Sequence, residues 1–139
     1  MSRVQELLDL AKRDFTRQGY LQPVVLVQAG GRLRAYPMIQ QNEQQRDAFF
    51  EMIYSKAREL GADSVSVITE AWIWEEGEEP DTARPADAIY VIDVSPLGTI
   101  DIAAARILRT AHGPAFESME PDPGLRSRLN WFSPWKTAQ

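Results

Sequence analysis

Along the chain the spacing of apolar positions changes several times, and each change marks a predicted element. Val4, Leu7, Leu8, Ala11 and Phe15 recur at intervals of three and four, which lines one face of an α-helix, and Ser2 with Gln5 forms a capping box at its start. The spacing predicts a helix over residues 3–18, closed by Gly19. Pro23 to Gln28 is a β-branched run, and Gly30-Gly31 supplies the positive φ angles of a tight turn into residues 32–39, so a hairpin follows. Pro37 has no N–H for a ladder, which puts the second strand at an edge or ends it there.

A second capping signal, Asn42 with Gln45, opens a helical stripe of Phe49, Met52, Ile53, Ala57 and Leu60 that stops at Gly61. From Asp63 to Trp74 the period drops to two. Val65, Val67, Thr69, Ala71 and Ile73 alternate with Ser64, Ser66, Ile68, Glu70, Trp72 and Trp74, as in a long strand. Residues 75–86 are acidic, contain Gly77, Pro80 and Pro85, and read as an exposed loop. Residues 87–94 and 99–109 read as two further strands joined through the turn Ser95-Pro96-Leu97-Gly98. Beyond Thr110 glycine and proline punctuate a tail that carries Phe116, Trp131, Phe132 and Trp135.

Together these elements predict one α+β domain over residues 1–110 and an aromatic tail over residues 111–139. The order α-β-β-α-β-β-β suits two layers: a five-stranded, mainly antiparallel sheet with both helices on one face. On the opposite face Ile68, Trp72, Trp74 and Tyr90 then project with no helix to bury them, so the tail, a second subunit or a partner covers them.

The 139 residues fit a single hydrophobic core, and 44% hydrophobic with 25% charged residues is a globular composition. Absence of cysteine excludes disulfide and thiolate chemistry and fits a reducing compartment. The first ten residues hold Arg3, Glu6 and Asp9 and no apolar stretch, so the expectation is a cytoplasmic protein without membrane contact. A net charge of −5 has the wrong sign for direct, non-specific binding to nucleic acid.

The element order resembles the roadblock/dynein-light-chain fold over residues 3–109. In that fold a helix, a hairpin, a long helix and three strands dimerise in adaptor and scaffold proteins, which implies a role in assembly. The segment Thr69-Glu70-Ala71-Trp72 is similar to a Glu-Ala-Trp strand found in small bacterial and phage proteins, a group with no known activity to carry over. The acidic insert at 75–86 and the aromatic tail depart from the roadblock pattern.

Catalytic signals are sparse. His112 is the only histidine, so a multi-histidine metal site within one chain is excluded, and a turn or surface position is expected for it. No Gly-x-Ser-x-Gly elbow is present, and Gly30-Gly31 lacks the spacing of a phosphate-binding loop. Glu70 sits in an apolar strand beside Trp72. Either its proton affinity is raised for general acid–base work, or it pairs with Arg34 or Arg106, and pairing is expected because an unpaired carboxylate there is costly. Asp93 and Asp101 flank the second hairpin and form either a cation cluster with Glu70 or solvated hairpin ends, the latter being expected. No metal or cofactor is predicted. The run Glu75, Glu76, Glu78, Glu79 and Asp81 reads as a solubilising loop or as a mimic of nucleic-acid phosphate.

Trp131, Phe132 and Trp135 cannot bury one another within a proline-flanked tail, so they dock either across the domain's own sheet or on a partner. These features predict a non-enzymatic interaction or scaffold domain, homo-oligomeric or bound to another protein. Its predicted anchors are Trp72, Trp74, Trp131, Phe132 and Trp135, with Glu70 and Arg106 fixing orientation. Two alternatives stand beside it: an enzyme using Glu70 with Asp93, Asp101 or His112, and an acidic antagonist of a nucleic-acid-binding protein.

Overall fold

A computed structural model describes residues 2–40, 42–73, 77–79, 81 and 83–121. Helix α1 (Arg3–Gln18) is capped by Ser2, whose side chain accepts from the Gln5 N–H at 3.3 Å, and ends at Gly19 in the left-handed region. Strands β1 (Val24–Ala29) and β2 (Arg32–Pro37) form a hairpin across Gly30-Gly31, both at positive φ. Helix α2 (Glu43–Leu60) opens on Asn42, which accepts from the Gln45 N–H at 2.8 Å. It buries Phe49, Phe50, Ile53, Tyr54 and Ala57, whereas Met52 lies 43% exposed, so the buried stripe is rotated toward Phe50 and Tyr54. Four strands follow: β3 (Ser64–Ala71), β4 (Ala88–Val94), β5 (Ile100–Thr110) and β6 (Gly113–Met119).

The sheet is antiparallel throughout, in the order β2-β1-β3-β4-β5-β6. It has six strands, not the five expected. Residues 111–119, read as tail, form the β5–β6 turn and the sixth strand. Gly113 at φ 109 closes the turn, and the Thr110 hydroxyl donates to the Gly113 carbonyl at 2.7 Å. Pro114 is tolerated because β6 is an edge strand, where a missing donor leaves no unpaired partner inside the sheet.

Helix-on-sheet packing holds, but the two helices use opposite faces. Successive side chains of a strand alternate between faces, and the register then assigns every strand residue to one side. Val25 and Val27, Val65 and Val67, and Ile92 and Val94 pack with Phe49, Phe50, Ile53, Tyr54 and Ala57 of α2. Leu26, Ile68, Ile89, Val91, Ala103, Ala105 and Ile107 pack with Val4, Leu7, Leu8, Ala11 and Phe15 of α1. The expectation of one covered face is therefore corrected. Ile68 and Trp72 belong to the α1 side, and Tyr90, opposite Thr69, faces the α2 side. Trp74 lies outside the described residues.

Two apolar cores back to back make the central strands the most sensitive part of the molecule. Ile89 is fully buried against α1, so Ile89→Ala is expected to lower the unfolding free energy by about 2–5 kcal/mol in urea titration. The control Leu97→Ala, at a turn residue 83% exposed, should stay within about 0.5 kcal/mol of the parent.

Candidate functional site

The long β3–β4 connection is fastened at its base by one carboxylate. Asp87 accepts from the Ile73 backbone N–H at 2.6 Å through Oδ2 and from Arg84 Nη1 at 2.7 Å through Oδ1. Arg84 completes the fork by donating from Nη2 to the Ile73 carbonyl at 2.5 Å, and the Trp72 indole N–H donates to the Arg84 carbonyl at 2.7 Å. Backbone bonds from Asp87 N–H to Ala71 and from Ile107 N–H to the Asp87 carbonyl join this base to both neighbouring strands. Burial pushes the Asp87 carboxyl up, but the Ile73 N–H, the Arg84 hydrogen bond and the charges of Arg84 and Arg109 outweigh it, so Asp87 titrates below the usual carboxylate range.

Beside this base lies a cavity of about 510 Å³ lined by Ile73, Glu78, Asp87, Arg106, Leu108 and Arg109, among others. Arg106 is exposed on the α2 side of β5, opposite Ala88 and Glu117 in the register. Glu70 projects to the other face. The expected pairing of Glu70 with Arg34 or Arg106 is absent, since both arginines lie on the α2 side. Glu70 is satisfied by a backbone donor: its Oε1 accepts from the Leu21 N–H at 2.5 Å, tying the α1–β1 connection to the end of β3. That partner is 49 positions away and is a main-chain group, so no side-chain pattern announces it.

The acids grouped with Glu70 on the sequence are held apart. Asp93 accepts from the Ser66 hydroxyl at 2.5 Å and lies 3.6 Å from Arg3 Nε, with Asp101 directly opposite on β5. Glu70 faces Ile89, four residues along β4 from Asp93, which is about 13 Å of strand. His112 is exposed in the β5–β6 turn, its N–H donating to the Thr110 hydroxyl at 3.2 Å. Among the described residues no group of three His, Cys, Asp or Glu is placed to hold a metal ion. No described helix is long and apolar enough to cross a membrane.

The predicted aromatic anchors divide. Trp72 is half-buried at the margin of the α1-side core and its N–H is already used within the loop base. Trp74, Trp131, Phe132 and Trp135 lie outside the described residues, as do Glu75 and Glu76 of the acidic run, while Glu78, Glu79 and Asp81 are exposed.

A different surface emerges at the β2 end of the sheet. Four described large apolar side chains are more than half exposed: Tyr20 (57%), Leu33 (54%), Ile39 (71%) and the turn residue Leu97. Tyr20 precedes β1, Leu33 lies on edge strand β2, and Ile39 follows β2. Nearly all of β2 is solvent-exposed, with Arg32 and Arg34 on its α2 side and Leu33 on its α1 side. Leu33 was not singled out on the sequence, where it read only as part of the second hairpin strand.

The Asp87 clamp has a defined pH signature. Its folded-state pKa lies below the ordinary 3.8, so its contribution is present above that value and is lost as pH falls through the lowered pKa. Asp87→Asn should lower the thermal midpoint at pH 7 and flatten the part of the acid-induced decline that falls below pH 3.8, measured by circular dichroism melts across the acid range. Compared with known proteins, this chain matches no family model, no curated protein and no solved structure, so the likeness of element order to the roadblock fold rests on that order alone.

Proposed function

We propose that this chain is a protein-interaction domain that assembles through the open β2 edge of its sheet. The observation that supports it is edge strand β2 itself, exposed along nearly its whole length, with Leu33 54% exposed on its α1 side and no strand paired to its outer side among the described residues. An exposed edge offers main-chain donors and acceptors to an added strand, and flanking apolar side chains supply the area to be buried.

Charge selects the added strand. Two copies meeting β2 against β2 bring Arg32 and Arg34 of one near those of the other, and like charges across a strand pair are destabilising. A strand carrying Asp or Glu fits better. The chain itself has one at its far edge: β6 carries Glu117 on the α2 side, the side occupied by Arg34. Because the six strands alternate in direction, a second copy placed edge to edge sets its β2 antiparallel to β6 with both faces in register. That contact is head-to-tail, so assembly grows with concentration instead of stopping at a dimer, unless rotation closes a ring.

Light-scattering mass after size exclusion tests this. The whole chain should exceed the monomer mass of 15.7 kDa and rise with concentration. Arg34→Glu should return it to monomer with unchanged thermal stability, and Arg34→Glu combined with Glu117→Arg should restore association. A parent chain that stays monomeric at every concentration rejects the reading.

A further inference from the structure

Resting on the β2-edge reading, we infer one register for the contact: residues 114–118 of a second copy lie antiparallel to residues 33–37, with Glu117 directly opposite Arg34 and Pro114 opposite Pro37. Along a strand, the main-chain N–H and C=O groups of successive residues turn to opposite edges. The Met38 N–H donates to the Pro23 carbonyl at 2.9 Å, toward β1, so Leu33, Ala35 and Pro37 turn their main-chain groups to the open side of β2. The Ile107 N–H donates to the Asp87 carbonyl at 2.8 Å, toward β4, so Arg106 and Leu108 turn theirs to β6, where they meet Glu117 and Ala115. Pro114, Phe116 and Ser118 therefore turn theirs to the outer side of β6, which has no strand paired to it among the described residues. Each edge thus carries a proline at a position that would otherwise present an N–H outward.

Prolines and charge select the same pairing. With Glu117 opposite Arg34, Leu33 faces Ser118 and Ala35 faces Phe116, and each of these pairs exchanges both main-chain bonds. The two prolines meet at the end of the ladder, so neither sits opposite a residue that would otherwise form both bonds. Arg34 and Glu117 then occupy a non-hydrogen-bonded pair, the type with Cα atoms about 4.5 Å apart and side chains closest together. Both are exposed, and neither has an ion-pair partner among the described residues. A slip of two residues toward the hairpin turn keeps an ion pair, Glu117 with Arg32. It also sets Ala35 against Pro114, which leaves the Ala35 carbonyl without a donor, and sets Ser118 against Gly31, a turn residue at φ 79. A slip of two the other way sets Phe116 against Pro37 and Glu117 against Tyr36, with no arginine opposite. A slip of one turns Glu117 to the face that Arg34 does not occupy.

Disulfide trapping in the full chain decides it. The chain has no cysteine, so introduced pairs report without background. In this register Arg32 faces Met119, a second non-hydrogen-bonded pair whose spacing suits a disulfide, and Arg32→Cys with Met119→Cys leaves Arg34 and Glu117 intact. Oxidised at a concentration where the parent's light-scattering mass exceeds 15.7 kDa, this variant should give a ladder of linked chains on a non-reducing gel, because every copy carries both edges. Arg32→Cys with Glu117→Cys, the pair that meets after the slip toward the turn, should give none. A parent that assembles while the first pair gives no ladder, or while the second pair gives one, overturns the register and leaves the edge reading standing. A parent that stays monomeric at every concentration overturns both. Loss of the far-ultraviolet circular dichroism signal in the first variant calls for Tyr36→Cys with Ala115→Cys, another facing pair of the same register, read by the same criteria.

Discussion

A sheet has two faces, and in this chain each face is covered by one helix, so the strands in the middle must be apolar on both sides. β3 and β4 meet that constraint residue by residue. Val65, Val67, Ile92 and Val94 serve α2, while Ile68, Ile89 and Val91 serve α1, and all seven are buried. Burying a Val or Ile side chain is worth about 1.5–3 kcal/mol, and these strands do so on both faces at once. The outer strands bear half that load. β2 is exposed along almost its whole length and β6 carries one core contact, Phe116, which meets Phe15 edge to face at 6.0 Å.

Polar groups at the margins of the two cores are spent on joining elements. Glu70 holds the α1–β1 connection, Asp87 with Arg84 holds the β3–β4 loop, and Asp93 binds Ser66 beneath the first turn of α1 near Arg3. Each carboxylate meets donors supplied by the fold, the condition under which an ionised group is retained beside an apolar core. A carboxylate oriented this way is committed to architecture. The chemistry that the sequence suggested for Glu70 and the hairpin acids is thus dispersed over separate tasks.

Much of the fold was legible because local signals and packing agree. Ser2 and Gly19, and Asn42 and Gly61, cap the two helices where the sequence placed them, and the alternation from Ser64 is that of β3. The sixth strand was hidden because Gly113 and Pro114 look like breakers until the register shows that the glycine turns a hairpin and the proline sits at an edge. The placement of the helices had a readable sign: Val65 and Val67 on one side of β3 with Ile68 on the other demand cover on both faces. Pairing of Glu70 with a main-chain N–H had none, because every residue but proline offers that donor. Trp72 looked like a free anchor for a similar reason, its partner being the carbonyl of Arg84.

The offset between the helices accounts for where surface is left over. α1 lies toward β4 and β5 on its side, which leaves the β2–β1 end of that face open around Leu33. α2 lies toward β1 on its side, and on the β4–β6 end of that face Ala88 and Ala104 are buried while Arg106 and Glu117 are exposed. Two helices of 16 and 18 residues cannot cover both faces of a six-stranded sheet some 24 Å wide, since each shields a band only about 10 Å across. The two ends of the sheet differ accordingly: β2 is exposed along nearly its whole length and carries Leu33, Arg32 and Arg34, whereas at the β6 end the exposed groups include Arg106 and Glu117. The same packing geometry that builds the two cores therefore concentrates the exposed backbone of the sheet at its β2 edge.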